Sequence, residues 1–295
     1  MIIWLASYPR SGNTLMRTVL QKCMNKPSYD DQIDEGLRSL YSSKEAEKII
    51  GHRSVQSEWS RFYQAASESK EVTFVKTHRY PIDDQPAIYI VRDGRNAISS
   101  YSKFHSDFLS NEAVTLLGLI CGLDEYGSWS EHIDAWDPLN RHNTLLFRFE
   151  DILDIDRKRI DEIANFINHT GDINPWENPF NQLQGEIPNF FREGKVTWDN
   201  SWSKLTNSIY FQLHGEQMSK LGYTTQEEVV EYIESLNKEI QELLNLLSFS
   251  RNQSKRFKIE CAERLEVINK LKLVCDERLE LIEKLNVRNT STANR

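Results

Sequence analysis

The sequence predicts an α/β fold, a mostly parallel sheet with helices on both faces, followed by a long helical tail. Three observations carry this expectation. Short apolar runs alternate with helical periodicities as far as Tyr223, the pattern of strands crossed over by helices. The first apolar run passes through one tight loop directly into the first helical stripe. From Thr224 the composition shifts to apolar residues in heptad spacing, which is the signature of a coiled coil.

Taken in order, MIIWLAS is the first strand, an apolar run of the kind buried inside parallel sheets. EVTFVKTHRY is the second, AIYIVRD the third and NTLLFRFED the fourth. Helical spacing covers Thr14–Cys23, Asn96–Phe104, Asn111–Ala135 and Ile155–Asn168. In such a sheet, ligands bind at the carboxyl ends of the strands. Beyond Thr224, Val229, Ile233, Leu236, Ile240, Leu243 and Leu247 form a heptad seam. SFSRNQSKRFK interrupts it. Cys261, Leu265, Ile268 and Leu271 then recur fourteen residues later, two heptads on, as Cys275, Leu279, Ile282 and Leu285. This predicts a body over 1–223, a coiled-coil tail over 224–285 that joins copies into a homo-oligomer, and a disordered polar end over 286–295. The alternative is a tail folded back onto the body.

Bulk composition narrows the function. The chain has 295 residues, of which 39% are hydrophobic and 27% charged. No run approaches 18 apolar residues, so no membrane span is expected. Nor is a signal peptide expected, since no basic segment precedes the first strand. Cys23, Cys121, Cys261 and Cys275 lack metal-ligand spacing, and no metal site is expected. They read as free thiols of a reducing, cytoplasmic compartment. The net charge is −8. Through Tyr223 there are 24 Lys and Arg against 31 Asp and Glu. So acidic a body argues against nucleic acid and heavily anionic polymers as partners. A phosphate-bearing ligand would need basic residues gathered locally.

They are gathered at the strand ends. SYPRSGNT, between the first strand and helix, has the layout of a P-loop, and the sheet is of the P-loop NTPase type. Gly12 and Thr14 keep the loop's second glycine and terminal hydroxyl, and Ser7 stands in place of the first glycine. Asn13 stands where the P-loop lysine belongs, and a cation, Arg10, lies inside the loop instead. The second strand ends in Lys76, Thr77 and His78. The third ends at Arg92, with Ser100 two turns into the next helix. A later loop, FFREGKVTWDNSW, adds Arg192 and Lys195 beside Glu193 and Asp199.

This ordered set resembles the sulfotransferases that use 3′-phosphoadenosine 5′-phosphosulfate (PAPS), over roughly Met1 to Tyr223. SYPRSGNT is similar to the family's 5′-phosphosulfate loop, T-Y-P-K-S-G-T-T. IVRDGRNAISSYSKF resembles its 3′-phosphate motif, an arginine followed eight residues later by a serine. REGKVTW resembles its R-K-G-x-x-G-x-W loop in divergent form, and EQMSKLGY its usual end. The resemblance implies sulfuryl transfer from PAPS to a hydroxyl or amine, with adenosine 3′,5′-bisphosphate (PAP) as product and no required metal. The amides of Ser11, Gly12, Asn13 and Thr14 would hold the 5′-phosphate at the helix N-terminus. Arg10 would meet charge developing on the bridging oxygen. Lys76 would contact the sulfuryl oxygens, and His78 would be the general base, with His52 and His105 as competitors. Arg92 and Ser100, closed over by Arg192 and Gly194, would bind the 3′-phosphate.

Several positions depart from the family. Arg10 replaces the usual lysine and keeps its charge. Leu15 stands where many members have an adenine-stacking tryptophan, which leaves Trp4 and Trp198 as candidates. Phe149 replaces a frequent tyrosine, and Glu193 brings an anion into the late loop. Two other functions fit parts of the pattern. A P-loop kinase shares the start, with Glu150 and Asp151 as the best magnesium ligands. A degenerate, non-catalytic head on a coiled-coil scaffold would explain the departures. The acceptor side would draw on Tyr29, Trp59, Phe62, Tyr63, Phe108, Tyr126, Trp129 and Trp136. Aromatics of this kind stack on sugars, shape a lipid groove or simply pack a core, and the tail resembles those of bacterial enzymes of surface-glycan assembly. A carbohydrate hydroxyl is therefore the first acceptor expected.

Overall fold

The computed structural model describes residues 1–31, 43–107, 109, 111, 113–187, 191, 198 and 201–293, the last stretch as backbone alone at 274, 275, 277, 279 and 281–293. In chain order the elements are β1 (Ile2–Ser7), α1 (Asn13–Met24), β2 (Ser28–Asp30), α2 (Lys44–Ile50), β3 (His52–Arg53), α3 (Trp59–Glu68), β4 (Thr73–Thr77), β5 (Ala87–Val91) and α4 (Gly94–Asp107). There follow α5 (Leu116–Ile120), α6 (Trp129–Trp136), β6 (Thr144–Arg148), α7 (Phe149–Leu153), α8 (Arg157–Phe166), α9 (Phe180–Glu186), α10 (Lys204–Lys220) and α11 (Gln226–Ala293).

The strands form one sheet in the order β3-β2-β4-β1-β5-β6, and every pairing is parallel. β1 is central and wholly buried. Its alternate side chains serve two cores, as a strand covered on both faces must. Ile2, Trp4, Ala6 and Tyr8 pack with α4, α6 and α10, whereas Ile3 and Leu5 pack with α1 and α8. The chain leaves β4 on one side of β1 and enters β5 on the other. That reversal opens a crevice at the strand carboxyl ends, the position where open α/β sheets bind ligands.

Four strands follow the expected pattern, but β2 and β3 are two that periodicity missed. At three and two residues they are too short to show alternation. A buried polar cluster pins them instead. Arg17 of α1 donates to Ser28 Oγ (2.7 Å), Asp30 Oδ1 (2.9 Å) and His52 Nδ1 (3.0 Å). Arg17 is 1% exposed, and such a buried charge persists only when paired and hydrogen-bonded. The single helix expected over Asn111–Ala135 is likewise two, α5 and α6. Between them Gly122 has φ 72°, and a Cβ there would sit 2.5 Å from the Ser128 backbone nitrogen. Ser128 and Glu131 then close a capping box that starts α6.

Three buried histidines hold this framework in their neutral form. Burial lowers His52 and His214 to about 4 and His132 to about 3. The unfolded chain protonates these rings below about 6.5, and the folded chain does not. Stability is therefore expected to fall as pH drops from about 6.5 towards 4, and to be independent of these groups above 7. Each pH unit inside that window costs up to about 1.4 kcal/mol per histidine. Urea midpoints measured between pH 8 and 4 check this.

The chain divides into two compact units, Met1–Ile233 and Glu234–Arg295. The start of α11 belongs to the first unit, where Val229 is buried and Tyr232 stacks on Phe211 at 4.3 Å. The second unit is the remainder of α11. Its helix runs unbroken through Ser248–Lys258, where the heptad seam is interrupted, and extends to Ala293. Ile240, Leu243, Leu247, Leu265, Ile268 and Leu271 stand 45–67% exposed along it. Among the described residues no helix is long and apolar enough to cross a membrane.

Candidate active site

The loop from β1 to α1 turns by two left-handed residues, Arg10 (φ 61°) and Gly12 (φ 103°). A Cβ on Gly12 would lie 2.5 Å from Phe149 Cδ2, so this position needs glycine for space as well as conformation. Gly12→Ala is expected to cost about 1–3 kcal/mol, readable as a lowered urea midpoint. α1 begins with no side-chain cap and no acid in its first turn. Its first N–H groups and the positive end of its dipole therefore suit an anion.

Asn13 explains how the loop manages without the usual lysine. Its side chain is buried and folds back, donating to Leu5 O at 2.7 Å and Ser7 Oγ at 3.3 Å. It braces the loop from beneath rather than presenting a cation. Arg10 is the loop's charge. Its Nε donates to Ser100 Oγ at 3.3 Å, and its guanidinium lies 5.3 Å from the Phe104 ring centre. Arg92 supports the same loop, donating to the Arg10 carbonyl at 3.1 Å, while its guanidinium packs 4.3 Å over Phe149.

Alternation along β4 sends Lys76 and His78 to one side and Thr77 to the other. Thr77 donates to Asp31 Oδ2 at 2.5 Å. His78 Nδ1 lies 2.7 Å from the Ser7 carbonyl, so Nδ1 carries the hydrogen and Nε2 keeps its lone pair. Burial holds this imidazole well below the usual histidine range, and the nearby Lys76 charge lowers it further. His132, on α6, positions the segment. Its Nε2 donates to the His78 carbonyl at 3.0 Å, and its Nδ1 accepts from Tyr89 OH at 2.8 Å. Nothing local in the sequence marks His132, because its partners lie far away in the chain.

These pieces meet in one cavity of about 610 Å³, lined among others by Arg10, Lys76, His78, Arg92 and Ser100. The model of the sulfotransferase domain matches residues 2–183. The chain belongs to the sulfotransferase domain family. Among curated proteins it is similar to sulfotransferase 1B1 of Mus musculus, 25% identical over 188 residues that cover 58% of this chain and 59% of that one. It is also similar to sulfotransferase 4A1 of Homo sapiens, 25% identical over 186 residues, 56% of this chain and 59% of the relative. The chain thus spans about 59% of the length of these relatives. Among solved structures it resembles mouse sulfotransferase SULT7A1, crystallised with PAP, at a TM-score of 0.51 and 18% identity over 80% of this chain and 88% of that one. At that identity the likeness speaks for the fold alone.

Within this sulfotransferase domain, Gly12, Asn13 and Thr14 also line the cavity. Ser11 does not lie on its wall. The Ser11 N–H donates to the Tyr8 carbonyl at 3.3 Å, and its hydroxyl is buried. Arg192 and Gly194, with Glu193, lie outside the described residues. Of the two candidate stacking tryptophans, Trp198 lines the cavity. Trp4 does not; it is core, 2% exposed, with Nε1 bonded to Asp83 at 2.8 Å. His105 lines the cavity, but His52 is locked in the Arg17 cluster. Of the described aromatics expected on the acceptor side, Tyr126 alone reaches the cavity wall. Trp129 and Trp136 are fully buried core, and Tyr29, Trp59, Phe62 and Tyr63 form a separate cluster beside Trp4. Phe108 lies outside the described residues.

Proposed function

We propose that this domain transfers a sulfuryl group from PAPS to a hydroxyl or amine of an acceptor and releases PAP. The observation that carries the proposal is the convergence of Arg10, Lys76, His78, Arg92 and Ser100 on one cavity at the carboxyl ends of β1, β4 and β5. The 5′-phosphate rests on the start of α1, with the amides of Gly12, Asn13 and Thr14 as donors. The 3′-phosphate takes the fork of Arg92 and the Ser100 hydroxyl. Arg192 and Gly194 close the site in the family pattern.

In the transfer the acceptor oxygen attacks sulfur while the bond from sulfur to the bridging oxygen breaks. His78 Nε2 takes the acceptor's proton, since Nδ1–H is committed to Ser7. Arg10 stabilises charge growing on the bridging oxygen, which is absent in the ground state, so its effect falls on the rate. Lys76 steadies the sulfuryl oxygens. The protein's own cations supply this stabilisation, and the reading requires no metal.

The far wall of the cavity, with Tyr101, Phe104, Leu109, Leu116 and Tyr126, suits a ring-bearing acceptor. A carbohydrate hydroxyl is our first choice, with the acidic body disfavouring polyanionic chains. The exposed heptad stripe of α11 supports homo-oligomerisation through the tail, and the free thiols of Cys23, Cys121 and Cys261 fit a reducing, cytoplasmic setting. Paired Ile240→Asp and Leu247→Asp substitutions are expected to lower the oligomer mass in analytical ultracentrifugation and to leave nucleotide binding intact.

Titration calorimetry with PAP tests the donor site without knowledge of the acceptor. Metal-independent binding of PAP, tighter than that of ATP with Mg²⁺, is expected. No binding of PAP, or preference for ATP with Mg²⁺, would sink the reading.

A further inference from the structure

We infer that Asn96 is a further binding residue of this site, and that its side-chain amide donates a hydrogen bond to the 3′-phosphate beside Arg92 and Ser100. The inference rests on the donor-site reading above and adds to it a residue that the motif pattern does not contain.

The spacing is the first observation. Asn96 follows Arg92 by four residues and precedes Ser100 by four. Arg92 stands just before α4, and Asn96 and Ser100 lie within it. Residues four apart on a helix share a face, and all three line the cavity. The second observation is an unmet bond. Asn96 is 5% exposed, and its Nδ2 is buried with no hydrogen-bond partner. Buried N–H groups in folded proteins are nearly always paired, and one left unpaired on a residue of the cavity wall points to a partner that arrives with the ligand. The Trp198 Nε1–H is a second buried donor without a partner, and Trp198 lines the same cavity.

The chemistry of the wall selects an anion. Arg92 supplies the charge, while the start of α4 is already capped by the Asp93 carboxylate, which accepts from the Arg95 N–H at 2.9 Å and pairs with the Arg95 guanidinium. An asparagine here contributes donors and no charge, whereas an aspartate would repel phosphate. The 3′-phosphate has enough oxygens to accept from the Arg92 fork, the Ser100 hydroxyl and the Asn96 amide together.

The experiment compares two ligands on each protein. PAP carries the 3′-phosphate, and adenosine 5′-monophosphate does not. Affinities for both are measured with the full-length wild type, Asn96→Ala, the near-isosteric Asn96→Asp, and Arg92→Ala as reference. Asn96→Ala is expected to weaken PAP by about tenfold to a hundredfold, the range for a hydrogen bond to a charged group, and to leave the monophosphate within about twofold. Asn96→Asp should weaken PAP further, again sparing the monophosphate. Equal weakening of both ligands would mean that Asn96 is structural and would overturn the inference. An unchanged PAP affinity in both variants would also overturn it, because the amide would then be met by water. If Arg92→Ala lowers the preference for PAP but neither Asn96 variant does, the inference fails while the donor-site reading stands. If the wild type binds no PAP, that reading fails and takes the inference with it.

Discussion

His78→Gln is expected to cut sulfuryl transfer by a factor of about 10² to 10⁴, the usual worth of a positioned general base, with PAP affinity unchanged. Glutamine keeps a donor for the Ser7 carbonyl but has no basic nitrogen. Loss of turnover without loss of binding therefore isolates proton removal. PAP release from PAPS, measured with a panel of sugar alcohols as acceptors, reads the rate. The pH profile gives an independent check. A base works only when unprotonated. Burial and Lys76 hold His78 well below 6.5, so the lone pair persists into mild acid. kcat/KM for PAPS, which reports the enzyme before the anionic donor binds, is expected to stay level from pH 8 down through 6.5 and to fall only as pH drops through the lowered value. A profile that halves near 6.5 would point to a solvated histidine and against His78 as the base. His105, in the same cavity, is the comparison, and His105→Gln should leave the acid limb of the profile where it is.

Arg92→Ala is expected to weaken PAP by about 10² to 10³-fold, as two charge-assisted hydrogen bonds to one phosphate are lost. Calorimetry on the wild type and the variant measures it. Burial draws this guanidinium below its usual range while Glu150 and Asp93 oppose the shift, and at neutral pH it stays charged. Part of the loss would come through the loop, since Arg92 also holds the Arg10 carbonyl. Arg92→Lys separates these contributions. It restores the charge but not the fork, and should recover only part of the affinity. If alanine and lysine bind PAP as the wild type does, the 3′-phosphate lies elsewhere.

Both predictions concern residues visible in the sequence, and the reason is their locality. The β1 loop and α1 are adjacent in the chain, so SYPRSGNT carries its own geometry. Arg92 stands just before α4 and Ser100 lies within it, so the helix period sets most of their separation. His78 and Lys76 share a side of β4 by alternation. Strands, loop and helix signals of this kind depend on neighbours a few residues away, and the sulfotransferase resemblance rests on them.

The sequence by itself thus determined the parallel sheet, the order of the basic strand ends, the heptad tail and the residues around which the transfer chemistry is argued. Only the tertiary structure decided what each does relative to the others. It folded Asn13 back onto Leu5 and Ser7, buried Trp4, Trp129 and Trp136 as core, and split the helix expected over Asn111–Ala135. It formed β2 and β3 by pairing rather than by pattern. It also set His132 under the His78 carbonyl and left the Asn96 Nδ2 buried and unpaired on a residue that lines the cavity. The pairing of β2 and β3, the buried tryptophans and the His132 contact depend on groups distant in the chain. Burial and hydrogen bonding between such groups follow from how the layers pack, which no local period encodes.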